Sequence, residues 1–172
     1  MSNPYTGTVA SALRKCQILL QSLDERGSTE NPLLQAALQE GALLQLWRAY
    51  RAFLGEQSHQ LGLGTGVVPE SAAALQSLLT ARGKFSADVG ELVSLAENPD
   101  SWFYPMAVAW IGLWKLPTSA GQGPDGGAGV QTLIPVRQLE DMPVAVDPEC
   151  LNRWLRGLTE LVQRQRVQGE EW

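Results

Sequence analysis

The stretch Ala42-Leu43-Leu44-Gln45-Leu46-Trp47-Arg48-Ala49-Tyr50-Arg51-Ala52-Phe53-Leu54 constrains the fold more than any other part of the chain. It lies inside a helical run that starts at Asn31-Pro32 and fades near Leu61. Asn31 suits the N-cap, and Pro32 the first helical position, where its missing N–H costs nothing. Leu43, Leu46, Trp47, Tyr50, Phe53, Leu54 and Leu61 recur at three- and four-residue steps and share one broad side. A side that wide and aromatic requires other amphipathic segments to pack on it.

Those segments are visible on both sides of the run. A first helix beginning near Thr6 or Thr8 places Val9, Leu13, Cys16, Leu20 and Leu23 on one seam. It stops around Gly27, and the short connection makes the second helix return antiparallel to it. Gly41 and Gly55 weaken the second helix, and their smallness lets a neighbour come close. Pro69-Glu70 starts a third helix with Leu75, Leu78 and Leu79 inward. Ser86 caps a fourth, with Val89, Leu92, Val93 and Ala96 as its apolar side.

A fifth helix, 102–115, presents Phe103, Met106, Trp110, Leu113 and Trp114 on one side. It is apolar nearly all round, which implies a central position or a dimer surface. Asp147-Pro148-Glu149 opens a last helix with Leu151, Trp154, Leu155, Leu158, Leu161 and Val162 inward. Arg164 and Arg166 suit the dipole of its last turns. Between these two helices, 117–146 is rich in Gly and Pro and then apolar without a helical period. We read it as a flexible or extended segment on the bundle surface. The expected fold is all-α: one domain over 1–172, an antiparallel bundle of five to six helices with a Gly/Pro-rich loop before the last.

Charge narrows the function classes. The net charge is -5, and no run of Lys or Arg stands out against that acidic balance. Nucleic acid and anionic membrane surfaces are therefore not expected partners. The most apolar stretch, 102–116, is broken by Pro105 and Gly112 and is shorter than the ~20 residues a membrane span needs. With no basic and apolar leader at the N-terminus, a cytoplasmic protein is expected.

Motif chemistry is sparse, and neither a catalytic set, a metal site nor a cofactor is expected. Gly62-Leu63-Gly64-Thr65-Gly66 follows a helix and lacks the lysine of phosphate-cradling loops, so it reads as a helix stop. His59, the single histidine, lies three residues beyond Glu56 and cannot complete a paired Glu-x-x-His metal site. Cys16 and Cys150 match no metal or redox spacing and read as reduced structural thiols; a Cys150 thiolate at a helix N-terminus is the sharper alternative. Arg48 and Arg51 flank Tyr50 and form either a solvated flank or an anion contact, with Glu40 and Glu56 as nearby acids. Trp102, Trp110 and Trp114 are a dense set for one short helix, and tryptophan gathers at interfaces and pockets.

Tyr5-Thr6-Gly7, the run from Gly41 through Leu54 to Gly55-Glu56, Asn98-Pro99-Asp100-Ser101-Trp102 and the terminal Glu171-Trp172 carry a resemblance. Over nearly its full length the chain resembles a family of short, uncharacterised gammaproteobacterial proteins, Pseudomonas-like in origin, defined only as a domain of unknown function. The resemblance implies a bacterial cytosolic helical protein and lends no activity, cofactor or substrate.

These readings favour a non-enzymatic interaction or adaptor protein acting as a homo-oligomer. The alternative is a small-molecule binder with an aromatic pocket and an arginine anion contact. Trp47, Arg48, Tyr50, Arg51, Trp102, Trp110 and Trp114 are the candidate ligand or interface residues in either case.

Overall fold

A computed structural model describes residues 3–26, 31–64, 66, 68–115 and 146–170. Among these, six helices and no strand are present: α1 (Thr6–Arg26), α2 (Pro32–Gln60), α3 (Ala72–Ala81), α4 (Ala87–Glu97), α5 (Phe103–Leu113) and α6 (Pro148–Glu170). The expected all-α bundle is the observed one. The expectation for 117–146 lies outside the described residues, apart from Val146, which packs on the core.

α2 is the central helix. The Asn31 side chain accepts from the Leu33 and Leu34 N–H groups, and an unbroken buried block runs from Ala52 to Ser58. The start of α1 reaches the far end of α2, where the Asn3 Nδ2 donates to the Glu56 carbonyl at 2.9 Å. Leu19, late in α1, meets Gly41 early in α2, so the two helices are antiparallel. At Gly55 an added Cβ would stand 3.1 Å from the Tyr5 ring, a close approach that only the missing side chain permits. Cys16 is fully buried on the α1 seam, and burial pushes its thiol up to about 12.

Three sequence expectations are corrected. α3 starts at Ala72, not at Pro69-Glu70, because the Ser71 hydroxyl accepts from the Ala74 N–H and fixes the cap there. Leu78 is 38% exposed while Leu75 and Leu79 are buried; a helix this short covers its core with a narrower stripe. Trp114 was expected inward and is 66% exposed, because α5 ends at Leu113 and packs with one side only. α5 is therefore a flank of the bundle and not its centre.

α4 begins at Ser86, as expected, with the hydroxyl accepting from the Val89 N–H. α6 begins where Asp147 Oδ1 accepts from the Cys150 N–H at 2.7 Å. Leu151, Trp154, Leu158, Leu161 and Val162 are buried and fill the stripe read from sequence. The Gly62, Gly64 and Gly66 backbones have positive φ, and the Lys84 ammonium donates to the Leu61 carbonyl at 2.7 Å. That segment ends a helix by satisfying its last carbonyls, which is the opposite of a phosphate cradle.

Candidate functional site: an aromatic ladder and a buried ion pair

Five of the seven candidate residues come together. Trp47 stacks on Trp110 at 5.3 Å between ring centroids, and Trp110 meets Trp114 edge-on at 5.4 Å. Phe103 links the other end: it lies 4.7 Å from the Tyr50 ring and takes an edge contact with Trp102 at 5.7 Å. Trp47 and Tyr50 complete the set at 5.2 Å. Offset and edge-to-face contacts of this kind add about 0.5–1.5 kcal/mol per pair beyond burial. The ladder thus fastens α5 to α2, and its rings occupy the space between these helices themselves.

Tyr50 also has a polar task. Its buried hydroxyl accepts the Ala72 N–H at 3.2 Å, one of the orphan donors at the start of α3. Burial pushes the phenol up to about 12, against smaller opposing effects of that hydrogen bond and of Arg51. The hydroxyl stays protonated and structural.

Trp102 reaches across to α6. A Cβ placed on Gly157 would stand 2.7 Å from the indole, so the ring lies directly on the glycine. Ser101 prepares this position: its hydroxyl donates to the Leu95 carbonyl at 2.6 Å and accepts from the Tyr104 N–H at 3.0 Å.

Arg48 and Arg51 do not join the ladder as a pair. Arg48 is exposed and lines a separate cavity with α1 residues. Arg51 is half-buried, and its Nε is shielded from water without a partner. The acid expected beside them is engaged elsewhere. Glu56 is 1% exposed and takes both Nε and Nη2 of Arg166, at 2.7 and 2.8 Å. A bidentate guanidinium is the strongest partner a buried carboxylate can find in protein. Arg164 pairs with Glu91, and Gln165, also buried, donates to the Asp88 carbonyl and to Glu91. The two arginines expected to serve the helix dipole instead tie α6 to α2 and α4.

Sequence reasoning missed Phe103 as the link in the ladder, and it missed the Glu56–Arg166 pair. A signal existed for the pair. Glu56 falls three, four and seven residues after Phe53, Ala52 and Ala49, on the buried side of α2, where a carboxylate demands a cation.

Reactive-group readings gain nothing from the geometry. Burial, then the hydrogen bond and charge of Asp147, push the Cys150 thiol up, against the weaker pull of Arg153. The thiolate is therefore disfavoured at this helix N-terminus. His59 is half-buried beside a glutamate already committed to Arg166. No group of three or more His, Cys, Asp or Glu among the described residues is arranged to hold a metal ion.

No curated protein and no solved structure matches the chain. A family model described as a family of unknown function (DUF6586) matches residues 7–172, and the chain belongs to that family.

Proposed function

We propose that the chain is a non-enzymatic helical protein that works by association, docking a second copy of itself on the outward stripe of α5. The observation that carries this reading is the composition of that helix on a flank. Its sequence FYPMAVAWIGL has no charged residue, and it turns Tyr104, Ile111 and then Trp114 to the outside. Ile111 is 58% exposed in the middle of the stripe. Single exposed apolar residues are ordinary; a row of them on an uncharged helix marks an interaction surface.

A second copy fits better than a charged partner. The stripe has no charge with which to select one, and an apolar patch is complementary to itself about a two-fold axis. The stripe is small: an 11-residue helix is ~16 Å long, below the scale of a permanent interface. The dimer is accordingly weak and concentration-dependent. The setting we assign is the cytoplasm of a gammaproteobacterium, as the resemblance implies; no helix among the described residues is long and apolar enough to cross a membrane.

Sedimentation velocity over rising protein concentration tests the reading. The wild type is expected to shift toward a dimer, and Ile111→Glu is expected to remain a monomer with the same helical content. A wild type that sediments as a monomer throughout removes the proposal.

A further inference from the structure

We infer that the second copy proposed above docks with its α5 antiparallel to this one, about a two-fold axis that passes between Ala107 and Val108. The inference rests on the α5 reading and adds the orientation and register of the pair. Charge placement carries it. The eleven residues of α5 are uncharged, and the nearest charges along the chain have opposite sign. Asp100 precedes the helix by three residues, Lys115 follows it by two, and both are exposed.

Two stripes related by a two-fold axis lie along each other in one of two senses. In the parallel sense each residue meets its own copy, so Lys115 faces the partner's Lys115 and Asp100 the partner's Asp100. Like charges then meet at both ends, and the two helix dipoles are aligned. In the antiparallel sense Lys115 meets the partner's Asp100 at one end, and Asp100 meets the partner's Lys115 at the other. Both ends become attractive, and the dipoles oppose. The Lys115 ammonium already has an interaction within its own chain; with three N–H donors it can take a second acceptor.

The apolar residues fit the same register. Tyr104 and Ile111, both exposed, stand about 10.5 Å apart along the helix, with the smaller Ala107 and Val108 half-buried between them. When Lys115 meets the partner's Asp100, Tyr104 falls opposite the partner's Ile111 and Ala107 opposite the partner's Val108. Small side chains at the axis let the two helices approach closely, and a tyrosine ring covers an isoleucine on either side. Trp114, 66% exposed, extends over the start of the partner's α5.

Sedimentation velocity of charge variants at low and high salt tests the orientation. Lys115→Glu makes both end contacts repulsive and is expected to weaken the dimer about tenfold, since two exposed pairs each change by a factor of a few. Asp100→Lys is expected to do the same. Joining both changes in one chain exchanges the charges and is expected to restore wild-type dimerisation. In about 1 M salt these differences are expected to vanish. Lys15→Glu makes the same charge change in the cavity between α1 and α2, which Lys15 lines with Arg48 and no α5 residue, and is expected to leave the dimer unchanged. A wild-type dimer that Ile111→Glu abolishes but Lys115→Glu leaves intact would overturn the antiparallel pairing and spare the α5 reading. So would a double variant no better than either single one. A wild type that stays monomeric would overturn both.

Discussion

The two ends of this protein's interior treat their difficult residues in opposite ways. Where the C-terminal parts of α2 and α6 meet, the difficult residues are polar, and the buried carboxylate has found its partner, while Ser58 Oγ and Gln165 Oε1 are shielded from water without one. Glu56 is closed off by a two-pronged Arg166, Gln165 bonds to Asp88 and Glu91, and Asn3 seals the Glu56 carbonyl. On the α5 flank the difficult residues are large and apolar, and their row continues past the core into solvent. Trp47, Trp110 and Phe103 pack inward, while Trp114 and Ile111 stand outside. Polar side chains bonded across helices fix those helices relative to one another. An aromatic row that outruns its own core still has contact area to give. On the proposed reading, the difference separates what holds the fold from what would meet a second copy.

The sharpest way to break the polar end is Arg166→Ala, which strands Glu56 in the core. Removing one partner of a buried pair costs about 3–5 kcal/mol; water reaching Arg166, whose side chain is 28% exposed, puts this case at the lower end. Urea unfolding should show the loss, and replacing both Glu56 and Arg166 by methionine should recover most of it. A stability unchanged by Arg166→Ala would mean that the pair does not hold the helices.

Next in size is Gly157→Ala, which strikes the anchor of the aromatic row on α6. Crowding the Trp102 indole costs about 1–3 kcal/mol, and the better helix propensity of alanine returns about 1. A net destabilisation of up to about 2 kcal/mol is expected, with a change in tryptophan fluorescence as Trp102 is displaced. Stabilisation would show that the indole is not seated there.

Tyr50→Phe keeps the ring in the row and removes only its hydroxyl. Losing the acceptor for the Ala72 N–H is expected to cost about 1 kcal/mol, read as a lower thermal midpoint and faster amide exchange at the start of α3. Unchanged exchange there would reduce Tyr50 to packing alone.

Much of the architecture was legible in the sequence, for reasons that differ by element. α2 and α6 carry long stripes and strong caps at Asn31 and Asp147, so pattern and punctuation agree. α3 misled at its start because Pro69-Glu70 imitates a first turn, while the decisive group was the adjacent Ser71 hydroxyl. α5 misled because a helix apolar on every side leaves no periodicity from which to read its facing. The aromatic residues of the site were singled out one by one, yet their convergence depends on how α5 lies against α2, which no spacing within one helix encodes. The Lys15 and Arg48 cavity was half visible: Arg48 stood out beside Arg51, but its counterpart belongs to the antiparallel neighbour.

Ile111→Glu is the smallest perturbation of the fold and the largest of the proposed function. An exposed substitution of this kind shifts stability by no more than about 0.5 kcal/mol. Native mass spectrometry of the wild type beside this variant, at matched and rising concentrations, tests the account most directly. The account predicts a growing dimer mass for the wild type and a monomer mass for the variant, with the two proteins unfolding at the same temperature. A wild type that stays monomeric, or a variant that dimerises as readily, would contradict it.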